Sequence, residues 1–256
     1  MNVQRLAMYG RRILALAALL GLWELLSAQG MIDPFYLPPP SAIGGNVVEQ
    51  FAGGEIWSHL EATFGAALLG LALGIAAGVA LGFLAALVPY IAELLEPVMA
   101  MLNAIPRVIL APLFIIWLGI DLPSKVALSF VLVVVLIFFA VYNGIKDVDQ
   151  RLVERVQTLG GGRLVLLRDV YVPSVVAWVM GNMKVAVGFA FTGAVVGEFV
   201  AASRGLGYLL AYAQSTYNAE LTLALIFMVM VFVLLLFTLA GMVERYLLRW
   251  KHDSGA

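Results

Sequence analysis

A chain of 256 residues that is 63% hydrophobic and 12% charged, with a mean hydropathy of +1.00, is excluded from the ordinary soluble folds, where about a quarter of residues are charged. The net charge of −1 excludes little, because in a membrane protein the placement of Lys and Arg carries the information rather than their sum. The absence of Cys rules out disulfides and thiolate chemistry, and the two histidines, His59 and His252, lie too far apart in sequence to suggest a metal site. At about 20 apolar residues per span, the length allows about five to seven helices. An all-α membrane protein forming one polytopic domain over residues 1–256 is expected.

Arg5, Arg11 and Arg12 precede the first apolar stretch, Ile13 to Leu26, which has the look of a signal peptide or a first span. An uncleaved span is favoured: Ser27-Ala28-Gln29-Gly30 make a poor small-x-small cleavage site, and Trp23 with Glu24 suits a helix end at the far interface. Residues 33–41, DPFYLPPPS, contain four prolines and predict a non-helical external loop. A short amphipathic piece follows, Ala42 to Phe51, and then Gly53-Gly54.

Span two is predicted over Ala62 to Val88. Within it Gly70, Gly74, Gly78 and Gly82 leave a bare stripe on one helix face, where another backbone can approach closely in lipid. Residues 91–118 predict span three, interrupted by Pro106 and Pro112 near mid-membrane. Gly119 to Ser124 reads as a tight outer turn. Lys125 to Ile145 is span four, apolar all round and therefore buried or lipid-facing. A mixed-polarity segment, 146–173, precedes span five at Val175 to Val200. A loop, ASRGLGYLLAYAQSTYNAE, leads to span six at Leu221 to Val243, and ERYLLRWKHDSGA is a basic tail.

With six spans, Arg5, Arg11, Arg12, Lys146, Arg151, Arg155, Arg163, Arg168, Arg245, Arg249 and Lys251 fall on one side. Only Lys125 and Arg204 fall on the other, with Arg107 and Lys184 inside spans. This positive-inside bias places both termini and segment 146–173 in the cytoplasm.

Within that segment Asp149 is a plausible N-cap, and Leu152, Val153, Val156 and Leu159 form an apolar stripe opposite Arg151, Glu154, Arg155 and Gln157. Gly160-Gly161-Gly162 ends the helix. A second short piece, Arg163 to Val172, is expected to stop at Pro173. The chain has no soluble domain to cover the stripe, which leaves a headgroup surface or a partner protein as its cover.

Glu154, then Gly160, then Val170-Tyr171-Val172-Pro173 resemble the cytoplasmic EAA signature, EAA-x3-G-x9-I-x-L-P, of permease subunits in binding-protein-dependent ABC importers. The spacing matches throughout. Arg155 and Val156 stand at the two Ala positions, and Arg155 changes the surface that a partner would meet. LPPPSAI at 37–43, AIPRVILAPLFIIWLGI at 104–120 and VVGEFVAASRGLGYLL at 195–210 are similar to the subgroup that imports sulfonates, taurine, nitrate and pyrimidine precursors.

The resemblance implies a type I ABC importer permease fold with six transmembrane helices and a cytoplasmic coupling helix. It also implies a bacterial inner membrane location and a homodimer with a second permease copy. The implied partners are two ABC ATPase subunits, a periplasmic or lipid-anchored substrate-binding protein and membrane lipid, with no nucleic acid. Coupling to the ATPase would fall to Leu152, Glu154, Arg155, Val156, Leu159, Gly160 and Pro173. No cofactor is expected in this chain: none of its four Lys residues is followed by Ser or Thr, so it lacks a GxxxxGK[ST] phosphate loop, and ATP and Mg would be bound by the partner.

Candidate pathway residues are Asn103, Arg107, Lys184 and Glu198. Arg107 reads as an anion-attracting group or, more simply, as a structural pair with a carboxylate such as Glu198. Lys184 reads as snorkelling to the inner surface. Asn103 and Asn182 suit hydrogen bonds across helices. Met99, Met101, Met180, Met183, Met228 and Met230 read as packing, and Arg204-Gly205-Leu206-Gly207 resembles the family's SxGLG turn, a candidate contact for the binding protein. A self-contained secondary transporter or channel would show internal repeats or paired intramembrane charges. An intramembrane enzyme would need a nucleophile with a His partner. Neither pattern is found.

Overall fold

The computed structural model describes residues 3–247, with the backbone alone described for residues 3–7, 9, 107 and 247. Arg249, Lys251 and His252 of the basic tail lie outside the described residues. The regular elements among the described residues are all helical: α1 (Val3–Ala28), α2 (Pro40–Gly53), α3 (Ile56–Leu87), α4 (Pro89–Ala104), α5 (Leu110–Leu118), α6 (Leu122–Lys146), α7 (Gln150–Thr158), α8 (Arg163–Leu166), α9 (Val172–Val200), α10 (Leu206–Ser215) and α11 (Ala219–Leu247).

Four helical runs are long and apolar enough to cross a membrane: α3, α6, the continuous run Arg163–Val200, and α11 over Ala219–Tyr246. The first and third of the six expected spans are not among these four. In α1 the arginines at 11 and 12 leave only a short apolar stretch behind them. The third span is divided: α4 ends at Ala104, a 3₁₀ turn covers Arg107–Ile109, and α5 starts at Leu110. Pro106 makes this break, since it offers no N–H to the helix ladder. Pro112 does not, contrary to expectation: it sits in the first turn of α5, where its missing donor has no intrahelical acceptor to serve.

Contacts divide the described chain into two compact units, one up to Trp57 together with Leu209–Met230, the other Ser58–Tyr208 with the chain from Val231 on. In the first unit Glu24 of α1 holds the start of α2, its carboxylate accepting from the Ser41 hydroxyl at 2.6 Å and the Ser41 N–H at 3.1 Å. Pro40 and Ser41 therefore belong to α2 rather than to the Pro-rich loop, with Pro40 at the first helical position, which suits it.

The second unit is built around α6, whose buried positions run from Ser124 to Ile145. On one side it meets the glycine stripe of α3. A Cβ added at Gly74, Gly78 or Gly82 would come within 2.6, 2.8 and 2.7 Å of the Cβ of Val133, Ile137 and Val141, and one at Gly70 would collide with Ser129. On the other side lies α9. There the Ser129 hydroxyl donates to the Ala190 carbonyl at 2.8 Å, and a Cβ at Gly193 would come within 2.6 Å of the Ser129 Cα. Small residues on both neighbours thus let three backbones approach closely, as packing in lipid requires. Ala66, Val133, Ile137, Val187, Ala190 and Phe191 form the centre of this core.

A second cluster, Ala85, Met99, Val134, Phe138 and Tyr142, holds α4, and the Tyr142 hydroxyl donates to Glu96 at 2.8 Å. The methionines divide. Met99 and Met228 are buried and Met180 and Met183 pack against the core, whereas Met101 and Met230 stay exposed, so packing inside this chain does not account for the last two.

Candidate functional site

Segment 146–173 forms an elbow. The Asp149 carboxylate accepts from the Arg151 N–H at 2.9 Å and caps α7. At the other end the Gly160 N–H donates to the Gln157 carbonyl at 3.0 Å and the Gly161 N–H to the Val156 carbonyl at 2.8 Å, which together make a Schellman close. Gly160 carries φ +79°, a backbone that glycine adopts without a Cβ penalty. No residue of α7 is buried. Leu152 is 49% and Leu159 85% exposed, Val153 and Val156 are half-buried, and Glu154 and Arg155 point to solvent.

The second half departs from expectation. Pro173 does not stop a short helix: α8, a π turn at Leu167–Tyr171 and α9 run on as one helix from Arg163 to Val200. The π turn is the physical reason, because bonds of the i→i+5 kind, such as Val172 N–H to the Leu167 carbonyl, widen the ladder just ahead of the proline. The elbow is therefore one free helix, a glycine bend and the N-terminal end of a long apolar helix. That end is anchored, since the Ser174 hydroxyl donates to the Gly144 carbonyl of α6 at 2.6 Å and Trp178 covers Gly144.

Among the described side chains, Asn103, Lys184 and Glu198 have separate surroundings. Asn103 lies exposed near the end of α4, and Asn182 donates to the Trp178 carbonyl of its own helix at 2.9 Å rather than across helices. A side-chain amide four residues from a free carbonyl lone pair finds that partner first. The Arg107 side chain lies outside the described residues. Lys184 does not simply snorkel: it pairs with Glu244 of α11 at 3.2 Å, because the α9 and α11 faces bring the two charges together.

Glu198 is 2% exposed and fully bonded on one oxygen. Its Oε2 accepts from the Thr63 hydroxyl at 2.8 Å and the Gly207 N–H at 2.9 Å. Thr63 Oγ1 in turn accepts from the Leu206 N–H at 2.8 Å, and His59 Nδ1 accepts from the Gly205 N–H at 3.0 Å. Three successive backbone donors at the start of α10 are thus satisfied by side chains of α3 and α9. Gly205, at φ +122°, leaves no room for a Cβ, which would fall on the Glu198 carboxylate. The stretch expected as a plain loop after span five contains α10 for this reason: its N-terminus is capped from a distance.

Residues 78–249 match the family described as binding-protein-dependent transport system inner membrane component. This chain belongs to that family. Among its relatives, the riboflavin transport system permease protein of Chloroflexus aurantiacus is 35% identical over 92% of this chain and 88% of its own. The taurine transport system permease protein of Escherichia coli is 26% identical over 93% and 88%. An amino acid ABC transporter structure aligns with TM-score 0.65 at 17% identity, over 78% of this chain and 97% of that one. The methionine transporter MetNI in an inward-facing conformation aligns with TM-score 0.58 at 20% identity, over 75% and 94%. The chain is thus an ABC importer permease with the all-helical fold of those transporters.

Sequence reasoning missed Thr63, His59 and Lys125 as site-forming residues of this permease. His59 and Thr63 stand four apart in an apolar helix, a readable signal of a shared polar face, but their partners lie over 140 residues away. Lys125 counts as a loop cation by position, yet is buried. Replacing Glu198 by Ala removes the acceptor of two buried donors and is expected to cost about 3 kcal/mol, whereas Gln, which keeps an acceptor oxygen, costs less. Thermal unfolding of the purified permease in detergent checks the ordering Ala below Gln below wild type.

Proposed function

We propose that this permease forms, as a homodimer, the translocation path of an ATP-driven importer, and that α7 is the segment by which a separate ATPase moves it. In this reading each subunit has six spans, made up by α1 and the divided α4–α5 pair, with both termini in the cytoplasm. The observation that carries it is the elbow: α7 is capped at both ends, has no fully buried residue, and joins an anchored spanning helix through a single glycine bend. An apolar-striped helix of this kind fits a groove on a partner, the stripe supplying affinity. Leu152, Val156 and Leu159 would enter the groove, Glu154 and Arg155 would meet its rim, Gly160 would set the angle, and Pro173 with the π turn would shape the joint to span five.

ATP and Mg²⁺ belong to two partner ATPase subunits, since the chain lacks a phosphate loop. A periplasmic or lipid-anchored binding protein delivers the solute to the outer face, where residues 203–207 form the exposed-to-buried turn held by Glu198. Relatives named for transport of riboflavin, taurine and formylaminopyrimidine support a small solute. An anionic one such as a sulfonate or nitrate, or a pyrimidine precursor, suits the subgroup resemblance.

Affinity purification of the tagged permease from its native membrane tests the reading: an ATPase subunit is expected in the eluate, and a permease that transports without one contradicts it. Charge reversal at Arg107 is expected to lower uptake of an anionic substrate about tenfold, measured in vesicles. Unchanged uptake returns Arg107 to a structural role.

A further inference from the structure

Asp121 and Lys125 at the start of α6, Glu198 of α9 and Arg204 line a cavity of about 130 Å³ backed by Ala62 and Ala66 of α3. Lys125 is 5% exposed, and among the described residues its ammonium has no hydrogen bond and no ion pair. The Lys125 side chain lines this cavity, and its ammonium brings three donors that an acid group could meet there. Asp121, exposed at the mouth, does not use its carboxylate to cap α6. Glu198 directs one carboxylate oxygen to Thr63 and Gly207 and also faces Lys125 electrostatically.

The wall therefore holds two cations, Lys125 and Arg204, and two carboxylates, Asp121 and Glu198. Asp121 at the mouth repels a lone anion, and an amine carried on the same solute turns that repulsion into attraction. A solute with separated charges of its own matches this wall. Lys125 also lies in the first turn of α6, where the helix dipole favours an anionic group. The space suits a solute of a few heavy atoms.

We propose that this cavity is a reception site for a small zwitterion, with its acid group on the Lys125 ammonium and the first turn of α6 and its amine on Asp121. The site deepens the permease reading and rests on it: it would hold the solute on the outer side of the bundle before passage. The acid group is a sulfonate or a carboxylate, and size selects against bulky solutes.

The full-length permease in nanodiscs, followed by thermal unfolding, tests the site with taurine and β-alanine as zwitterions, ethanesulfonate as the anion alone and ethylammonium as the cation alone, at matched ionic strength. A saturable rise in melting temperature is expected with at least one zwitterion, with half-saturation at least tenfold lower than for ethanesulfonate and no saturable rise with ethylammonium. Lys125→Met and Asp121→Asn are each expected to weaken zwitterion binding at least tenfold, and Lys125→Arg to retain most of it. Should Lys125→Met fail to fold, Asp121→Asn at the exposed mouth carries the same test. The site is overturned if neither zwitterion gives a saturable rise, if ethanesulfonate matches them, or if both variants bind as wild type does. If binding fails while the ATPase still co-purifies, the site falls and the permease reading stands. If no ATPase is captured, that reading falls whatever binds here.

Discussion

Gly160→Asp is expected to lower ATP-driven uptake by the reconstituted complex at least tenfold while leaving membrane insertion and folding intact. Gly160 sits at φ +79° with open space around it, so a side chain meets no neighbour and the cost is that of the left-handed backbone alone. For most residues this is about 1–2 kcal/mol, and Asp bears it better than most. The fold should therefore survive. The added carboxylate would stand beside Leu159, which is 85% exposed and forms the end of the apolar stripe. Burying that stripe in a groove would then mean burying a charge with no partner, a penalty of several kcal/mol. ATP hydrolysis by the partner is expected to continue without solute movement. Uptake equal to wild type in a well-inserted Gly160→Asp permease contradicts a docking role for the elbow.

A large effect on the fold itself is expected at Gly78. Its neighbours across the α3–α6 contact are Ile137 and the Val134 carbonyl, and an added Cβ would stand 2.8 Å from the Ile137 Cβ and 3.0 Å from that oxygen. Backbone cannot yield as a flexible side-chain tip can. Gly78→Leu must push the helices apart, and with them the contacts at Gly74 and Gly82 on either side. Overpacking of this kind costs about 3 kcal/mol. The variant is expected to unfold well below wild type in detergent, and a paired Ile137→Ala is expected to recover part of the loss. A Gly78→Leu permease as stable as wild type would show that the two backbones are not held in close contact.

Much of the helical order is legible because it rests on local signals. Asp149 as a cap, Gly160 as a close and the four-residue glycine repeat of α3 each act within a turn or two of the chain. The elbow, made of adjacent residues, is readable for the same reason. What escapes is set by distant partners. Pro173 looks like a stop until the π turn before it is seen, since the sequence carries no mark of a widened ladder. Lys184 looks like a snorkelling cation until Glu244, sixty residues on, is placed against it. Glu198 accepts from a threonine 135 residues away and from a backbone N–H, partners that no local pattern announces. Hydrogen bonds to backbone leave no pattern of residue types, so α10 reads as loop.

Site-specific photocrosslinking from Leu152, Val156 and Leu159 in native membranes tests the central claim most directly. The elbow reading predicts adducts with an ATPase subunit from all three positions, lost in Gly160→Asp. Adducts with phospholipid alone, from every position between 152 and 160, would contradict it.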